Sequence, residues 1–276
     1  MVKKPFLSAF GAAHLDRIAR LESAPAPTSV PATVHTFAGG AAFNVARQFV
    51  RAGGAATLWT PGNAHDLAAG AAGVLLRSIP STVDAPPSYT AIVDPDGELV
   101  VAASDMRRYD ELPALGDTIE YGNHVLLDAN LSTSALRSIV SRCPAEARLY
   151  AMAVSPAKID RLMELPRRLD VLFANVHEIA ALGLDPERPP NFCRAAVITD
   201  GARRLVHVDE RSRTVHDVDA IRPVDVTGAG DAVAGAFLRA TIAGASKSDA
   251  LRLASEAARE TILGEGPYPF LRTTPC

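Results

Sequence analysis

Apolar residues in this chain fall into two recurring rhythms, short unbroken runs and longer stretches of helical period. Phe6 to Ala13 is a short apolar run of the kind that forms a buried strand. The pattern recurs over Ala55 to Thr60, Val125 to Leu127, Arg148 to Val154, Asp170 to Ala174 and Ala195 to Ile198. Between these runs, helices are predicted from Ala41 to near Gly53-Gly54, over Thr133 to Arg142, Pro156 to Glu164 and Ala232 to Ala243, and over Ser248 to Ile262. In the Ala232 stretch, Val233, Ala236, Phe237 and Ala240 share one helix face. Strands alternating with helices predict a parallel sheet with crossover helices.

Three stretches depart from that alternation. Residues 22–36 are rich in Pro, Ala, Ser and Thr and read as an extended edge segment or a linker. Ser88 to Val93 and Glu98 to Ala103 flank Asp94-Pro95-Asp96-Gly97, where Pro and Gly sit as a tight turn requires, so a hairpin is predicted. Arg203 to Val208 and Arg213 to His216 read as antiparallel edge strands. A further helix is predicted to start at Gly62-Asn63-Ala64-His65-Asp66.

Composition narrows the class. With 276 residues, 48% hydrophobic and 21% charged, the chain suits one large α/β domain or two small ones. A net charge of -3 gives no general attraction to nucleic acid or an anionic membrane. Cys143, Cys193 and Cys276 are widely spaced and form no C-x-x-C pair, so they read as free thiols of a reducing, cytoplasmic setting. Lys3-Lys4 and the apolar run after it are faintly like a signal peptide, but His14, Asp16 and Arg17 interrupt the run. No run of about twenty apolar residues is present to span a membrane.

The candidate chemistry centres on Asp225-Val226-Thr227-Gly228-Ala229-Gly230-Asp231, which opens the helix from Ala232. Gly228 and Gly230 let backbone approach a ligand closely, and amides at a helix start attract an anion. A carboxylate at Asp231, beside such a site, suits the base for a hydroxyl that attacks a phosphoryl group. The alternative is a Gly-rich loop with Asp in a first turn, where Asp is favoured anyway. Gly39-Gly40 precede another helix, and Asn44 offers both a donor and an acceptor. Asp16 follows the first strand, and Asp128 and Asn130 end another, at the rim where open α/β sheets bind ligands. For Asp16, a solvated turn serves equally. Asn175-Val176-His177-Glu178 is either a capping pattern or a single carboxylate for Mg²⁺, which keeps most of its waters. Asp105 and Met106 read equally as a charged edge and a packing residue.

In this order and spacing, the stretches resemble the ribokinase-like (PfkB) sugar kinases. The resemblance rests on Gly39-Gly40-x-x-x-Asn44-x-Ala46, Asn175-x-x-Glu178, Thr199-x-Gly201 and the Asp225–Asp231 signature. It implies a Rossmann-like three-layer α/β/α sandwich with a mostly parallel central sheet, as a single domain over 1–276. It also implies a small β lid formed by about 16–36 and 86–105. The implied cofactors are ATP and Mg²⁺, with K⁺ as a monovalent cation near Asp225. Asp231 would be the catalytic base, and the Gly228, Ala229 and Gly230 amides would hold the transferring phosphate. Asp16, Gly39, Gly40 and Asn44 would meet the acceptor. Asn175, Thr199, Gly201 and Thr227 would serve the nucleotide with Gly228 and Gly230, and Glu178 would serve Mg²⁺ through water. Two features depart from the pattern. Arg204 stands where a glycine is usual, and the Gly62 to Asp66 turn is irregular, which gives His65 and Asp66 no functional role.

Within that family, Ala103 to Asp110, Leu126-Leu127-Asp128-Ala129-Asn130-Leu131 and Leu263-Gly264-Glu265-Gly266-Pro267 are similar to bacterial pseudouridine kinases. This implies pseudouridine as the acceptor, phosphorylated on its 5′-hydroxyl, with Asp105 and Asn130 on the substrate side. Ribose, fructose or another nucleoside is the alternative, and a non-catalytic binding protein of the same fold is a further one. The resemblance also implies a homodimer through the lid. A dinucleotide oxidoreductase would need G-x-G-x-x-G after the first strand, and Gly11-Ala12-Ala13-His14-Leu15 does not supply it. A nucleic-acid module would need a basic patch, which the sequence lacks.

Overall fold

The computed structural model describes residues 4–62, 64–112, 115, 119–219, 221–222 and 226–264. Along the chain, β1 (Phe6–Phe10) is followed by β2 (His14–Leu21), β3 (Ala32–Gly39), helix α1 (Ala41–Arg51) and β4 (Ala55–Thr60). A short α2 (Ala64–Leu67) and β5 (Leu75–Ser78) lead to the hairpin of β6 (Ser88–Val93) and β7 (Leu99–Asp105). Then come α3 (Arg107–Asp110), β8 (His124–Asp128), α4 (Thr133–Arg142), β9 (Arg148–Met152) and β10 (Val171–Asn175). The chain continues through α5 (Val176–Ala181), β11 (Ala195–Asp200), β12 (Arg204–Asp209), β13 (Arg213–Asp217), α6 (Ala229–Ile242) and α7 (Lys247–Ile262).

Nine strands form the central sheet in the order β13-β12-β11-β10-β9-β8-β1-β4-β5. Every neighbouring pair from β11 to β5 is parallel, and β12 and β13 add an antiparallel edge. Side chains alternate between the faces of a strand, and here both faces are covered, which is why the parallel strands read as unbroken apolar runs. Leu126, Met152, Phe173 and Val197 pack on one face with α1, α6 and α7. Val125, Leu127, Leu149, Ala151, Leu172 and Ala196 pack on the other with α4 and Leu112. The result is a Rossmann-like α/β/α sandwich. No helix among the described residues is long and apolar enough to cross a membrane.

A second sheet has the order β3-β2-β6-β7. Its edge strand β7 is exposed on both faces from Leu99 to Ser104. Register aligns Ala38, Leu15, Ser88 and Asp105 across the four strands, so Gly39, Asp16 and Asp105 lie at one end of this sheet.

The structure corrects several sequence expectations. The first strand stops at Phe10, not Ala13, and Asp16 lies inside β2 rather than just beyond β1. The polar residues His14, Asp16 and Arg17 concealed β2, which sits in a thin sheet with no continuous apolar face. Pro156 to Glu164 is not an α-helix but turns and one 3₁₀ turn at Ile159–Leu162. Pro156 and Pro166 disfavour helical backbone at the residues before them, which leaves little room for a full helix. The helix expected from Gly62 is only the four residues of α2. β5 was not legible because it is a short, largely exposed edge.

Helices α1 and α6 approach closely at Gly235. A Cβ there would lie 2.7 Å from the Val45 carbonyl oxygen and from Gln48 Cβ. Gly235→Val should therefore cost about 1–3 kcal/mol through overpacking. Thermal unfolding should register this as a fall of roughly 2–4 °C per kcal/mol. An unchanged midpoint would mean that the two helices are not held at this spacing.

Candidate active site

The start of α6 faces the C-terminal rim of the central sheet, where β8, β10 and β11 end. Gly228 is its N-cap with φ 76°, a left-handed conformation suited to glycine, and no side chain caps the helix. A Cβ on Gly230 would meet nothing within 4 Å, so the surface over the first turn is open. One residue on, the Asp231 Oδ2 accepts a hydrogen bond from Asn44 Nδ2 at 2.8 Å. Burial pushes the Asp231 carboxyl up to about 7, the Asn44 amide pulls it down, and the negative charges of Asp128 and Glu178 push it up further. A carboxyl so poised can exchange a proton near neutral pH.

Asn44 reaches Asp231 from the first turns of α1, whose N-cap is Gly40. Gly40 has φ 108°, and a Cβ there would lie 2.4 Å from the Ala12 carbonyl oxygen. A Cβ on Gly39 would lie 2.1 Å from Asp16 Oδ2, so the glycine pair admits both β1's end and the Asp16 carboxylate. Asp16 Oδ1 is 3.2 Å from His14 Nε2. His14 Nδ1 in turn lies 3.2 Å from the Tyr109 hydroxyl. Tyr109 is fully buried, donates to the Ala13 carbonyl at 2.7 Å and accepts from the Ala13 N–H at 3.0 Å. It thereby anchors the junction between the two sheets, and burial raises its phenol well above the ordinary value.

Asn175 and Glu178 form a reciprocal capping box at the start of α5. Asn175 Oδ1 accepts from the His177 and Glu178 N–H groups at 2.9 Å, and Glu178 Oε2 accepts from the Asn175 N–H at 2.8 Å. The capping role does not exhaust the site. Glu178 is only 5% exposed, and burial raises its carboxyl above the ordinary value. Together with Asp231, Gly230, Thr199 and Val154 it lines a cavity of about 170 Å³. Val154 has φ 69°, a strained conformation for a β-branched residue, in the wall of that cavity. Glu178 Oε1 remains for a further partner, which suits Mg²⁺ held through water. Among the described residues, no group of three or more His, Cys, Asp or Glu could cage a metal ion.

Thr199, Gly230 and Val233 also line a larger cavity of about 650 Å³. Its other walls include Gly201, with φ 52°, His216, Val218, Ala229, Arg259 and Ile262. The small cavity with the carboxylates thus adjoins a larger, mainly apolar one. Thr227 is exposed beside the start of α6. Asp225 lies outside the described residues, as do Glu265, Gly266 and Pro267. Arg204 lies 3.6 Å from both Asp200 and Glu187, a surface ion-pair arrangement.

Two expected substrate residues stand apart from this grouping. Asp105 receives Arg107 Nη2 at 2.6 Å and Nε at 3.0 Å, which holds its carboxyl at about 2. Asn130 is 8% exposed, and its Oδ1 accepts from Lys158 Nζ at 2.8 Å. Neither is among the described residues lining the two cavities. Conversely, no motif marks the individual α7 side chains Arg252, Ser255 and Arg259 that line the larger cavity, although the nucleotide was expected near the C-terminal helices. The buried run ending at Asp128 was legible, but the partners of that carboxylate were not.

The raised Asp231 carboxyl has a consequence for stability. A folded-state value of about 7, above the ordinary 3.8, means folding favours the protonated form. Its stabilising effect is fully present below about pH 4 and is lost as pH rises through 7. Asp231→Asn keeps an acceptor for Asn44 and cannot ionise. Its thermal midpoint should exceed that of the wild type at pH 8, and the gap should shrink at pH 5. Equal midpoints at both pH values would contradict the burial of a charged carboxylate.

The sequence matches the family model of pfkB family carbohydrate kinases over residues 4–274. A carbohydrate kinase from Agrobacterium tumefaciens is 31% identical with a TM-score of 0.79, over 96% of this chain and 99% of that one. Two more distant structures share the fold. Ribokinase from Arabidopsis thaliana, complexed with ribose and ATP, has a TM-score of 0.77 at 18% identity, over 97% of this chain and 96% of that one. The nucleoside kinase of Methanocaldococcus jannaschii has a TM-score of 0.74 at 18% identity, over 96% and 94%. No curated protein sequence matches significantly. A family match spanning nearly the whole chain, on this fold, makes the protein a member of the PfkB family of carbohydrate kinases, which are phosphotransferases with an alcohol acceptor.

Proposed function

We propose that this kinase transfers the γ-phosphoryl group of ATP to the 5′-hydroxyl of pseudouridine, with Asp231 as the base. The observation that carries the chemistry is the adjoining pair of cavities. The larger has the size and apolar walls for a nucleotide base and sugar, and the smaller brings Asp231 and Glu178 to its end. In this reading Asp231 takes the proton of the acceptor hydroxyl as its oxygen bonds to the γ-phosphorus. The bond from that phosphorus to the bridging oxygen breaks, and ADP leaves. The Gly228 and Gly230 amides face the transferring group, where preorganised donors count most, whereas the Ala229 N–H, expected to join them, donates to the Val226 carbonyl at 3.2 Å. Thr199, Gly201 and Thr227 contact the nucleotide phosphates. Asn175 and Glu178 hold Mg²⁺ through water, and the ion supplies charge neutralisation on the phosphates.

The acceptor is held by Asp16, Gly39, Gly40 and Asn44, with Asp105 and Asn130 farther out. Support for pseudouridine comes from the sequence around 103–110 and 126–131. The whole chain acts as one kinase domain, with 16–36 and 86–105 as a lid that excludes water from the transfer. The exposed edge strand β7, with Leu99 60% and Val101 53% exposed, supports pairing of lids between two copies. Buried, unpaired Cys143 and Cys193 agree with a reducing cytoplasmic setting. K⁺ near Asp225 is part of the same reading.

ADP release from MgATP should be measured with pseudouridine, uridine, other nucleosides, ribose and fructose offered separately. Pseudouridine should turn over fastest, and Asp231→Asn should lower the rate by about 10²–10⁴. Turnover of a free sugar alone would keep the mechanism and reject the acceptor, and acceptor binding without ADP release would reject catalysis.

Gly230 separates a structural glycine from a functional one. Its position is helical with open space at Cβ, so Gly230→Ala should leave the fold as stable or about 1 kcal/mol more so. The added methyl group projects over the proposed phosphate path, and turnover should fall at least tenfold. Full activity in a folded Gly230→Ala protein would move the phosphate elsewhere.

A further inference from the structure

The phosphotransfer reading leaves one buried carboxylate without a role. Asp128 ends β8 and is 0% exposed. Its Oδ2 accepts from the backbone N–H groups of Ala12 at 2.9 Å and Ala42 at 3.1 Å, and its Oδ1 accepts from the Asn130 N–H at 2.8 Å. Burial raises its carboxyl, while these three N–H groups and the Lys158 ammonium act against that rise. Gly11 makes the approach possible, since a Cβ there would lie 2.3 Å from Asp128 Cβ and 2.7 Å from Ala42 Cβ.

These bonds fall where α1 has no cap of its own. Its N-cap is Gly40, which has no side chain, and the Asp128 carboxylate takes the N–H of Ala42 from across the sheet. The same segment is tied a second time, because the Phe43 N–H donates to the Ala12 carbonyl at 3.2 Å. Asn44 is the next residue, and it donates to Asp231. The helix start that carries Asn44 is thus fixed to the end of β1 by Asp128, while Gly235 fixes the distance between α1 and α6 lower down.

We propose that Asp128 is a positioning residue for phosphoryl transfer: it caps α1 in trans and thereby aims Asn44 at Asp231. With Oδ2 occupied by the Asn44 amide, Oδ1 of Asp231 is the oxygen left to take the acceptor's proton. Asp128 itself does not meet the reacting atoms. The inference rests on the reading of Asp231 as the base.

The test is a double-mutant cycle of Asp128→Asn with Asn44→Ala, with Asp128→Ser as a smaller acceptor at the same place. Kinetics use MgATP and the acceptor that turns over in the panel above. Asp128→Asn should lower kcat about 10- to 100-fold with the KM for ATP unchanged. If Asp128 acts through Asn44, the double variant should be no slower than Asn44→Ala alone. Losses that multiply would overturn the proposal. A crystal structure of Asp128→Asn or Asp128→Ser gives a readout that needs no acceptor. Asn44 Nδ2 should have left Asp231 Oδ2, and an intact contact at 2.8 Å would overturn the proposal. Failure of both Asp128 variants to fold would assign the carboxylate to the fold alone and equally reject it. An active Asp231→Asn protein would instead defeat the base reading, which the structural readout leaves separate.

Discussion

An aspartate in the first turn of a helix ordinarily gains from the helix dipole and from water. Asp231 has the dipole but, half-buried in a cavity wall, only part of the water. Its carboxylate is held by one buried amide, in the field of two other buried carboxylates. The surroundings of the site follow from this one arrangement. It requires α1 and α6 to lie close enough for Asn44 to reach across, and hence a glycine at Gly235. It also requires a second set of N–H donors to hold the other carboxylates. Asp128 has three backbone donors, and Glu178 has the capping box. Among the described residues, no cation is counted with the groups that shift the Asp231 carboxyl.

The glycines divide by the constraint they satisfy. Gly40 and Gly228 adopt positive φ at the starts of α1 and α6, where any other residue would be strained. Gly11, Gly39 and Gly235 have ordinary backbone but no room, each facing another group well inside contact distance. Gly230 belongs to neither class, having both a helical backbone and open space. Nothing in the folding of the isolated chain requires a glycine there. In the proposed reading, a side chain there would obstruct a phosphate group lying against the amides of the first turn.

The fold was legible in the sequence wherever burial on both faces imposed a rhythm. Strands β4, β8, β10 and β11 and helices α4, α6 and α7 lie close to their predicted ranges. The failures fall where a different constraint dominates. β2 is a strand of a thin sheet, half-buried on both faces along most of its length, so its residues carry no apolar-polar period. The Pro156 to Glu164 segment has apolar residues, but Ile159 and Leu162 enter the core from a single 3₁₀ turn. At the site, motif spacing pointed to Asn44, Gly230, Thr199, Asn175, Glu178 and Asp231, which the fold brings together. Contacts between residues far apart in sequence were not legible. The pairing of Asn44 with Asp231, and of Asp128 with Ala12 and Ala42, depends on three-dimensional register that no local pattern encodes.

The same distinction explains why the reaction class is easier to read than the acceptor. Phosphoryl transfer needs amides, a base and a path for the nucleotide, and these sit on the rigid rim of a packed sheet. In the proposed reading the acceptor is also met by residues of the small sheet, which has little core of its own. Its link to the rim runs through Tyr109, whose hydroxyl holds both the N–H and the carbonyl of Ala13, and through His14, which contacts both Tyr109 and Asp16. Asp16 is therefore oriented from the core side, while Asp105, at the same end of the sheet, is held by its own neighbour Arg107. A ligand reaching across that end meets one carboxylate fixed by the core and another that must first be drawn from an arginine. In the proposed reading, selectivity among acceptors depends on whether the ligand supplies donors enough to replace Arg107, which no single motif can reveal.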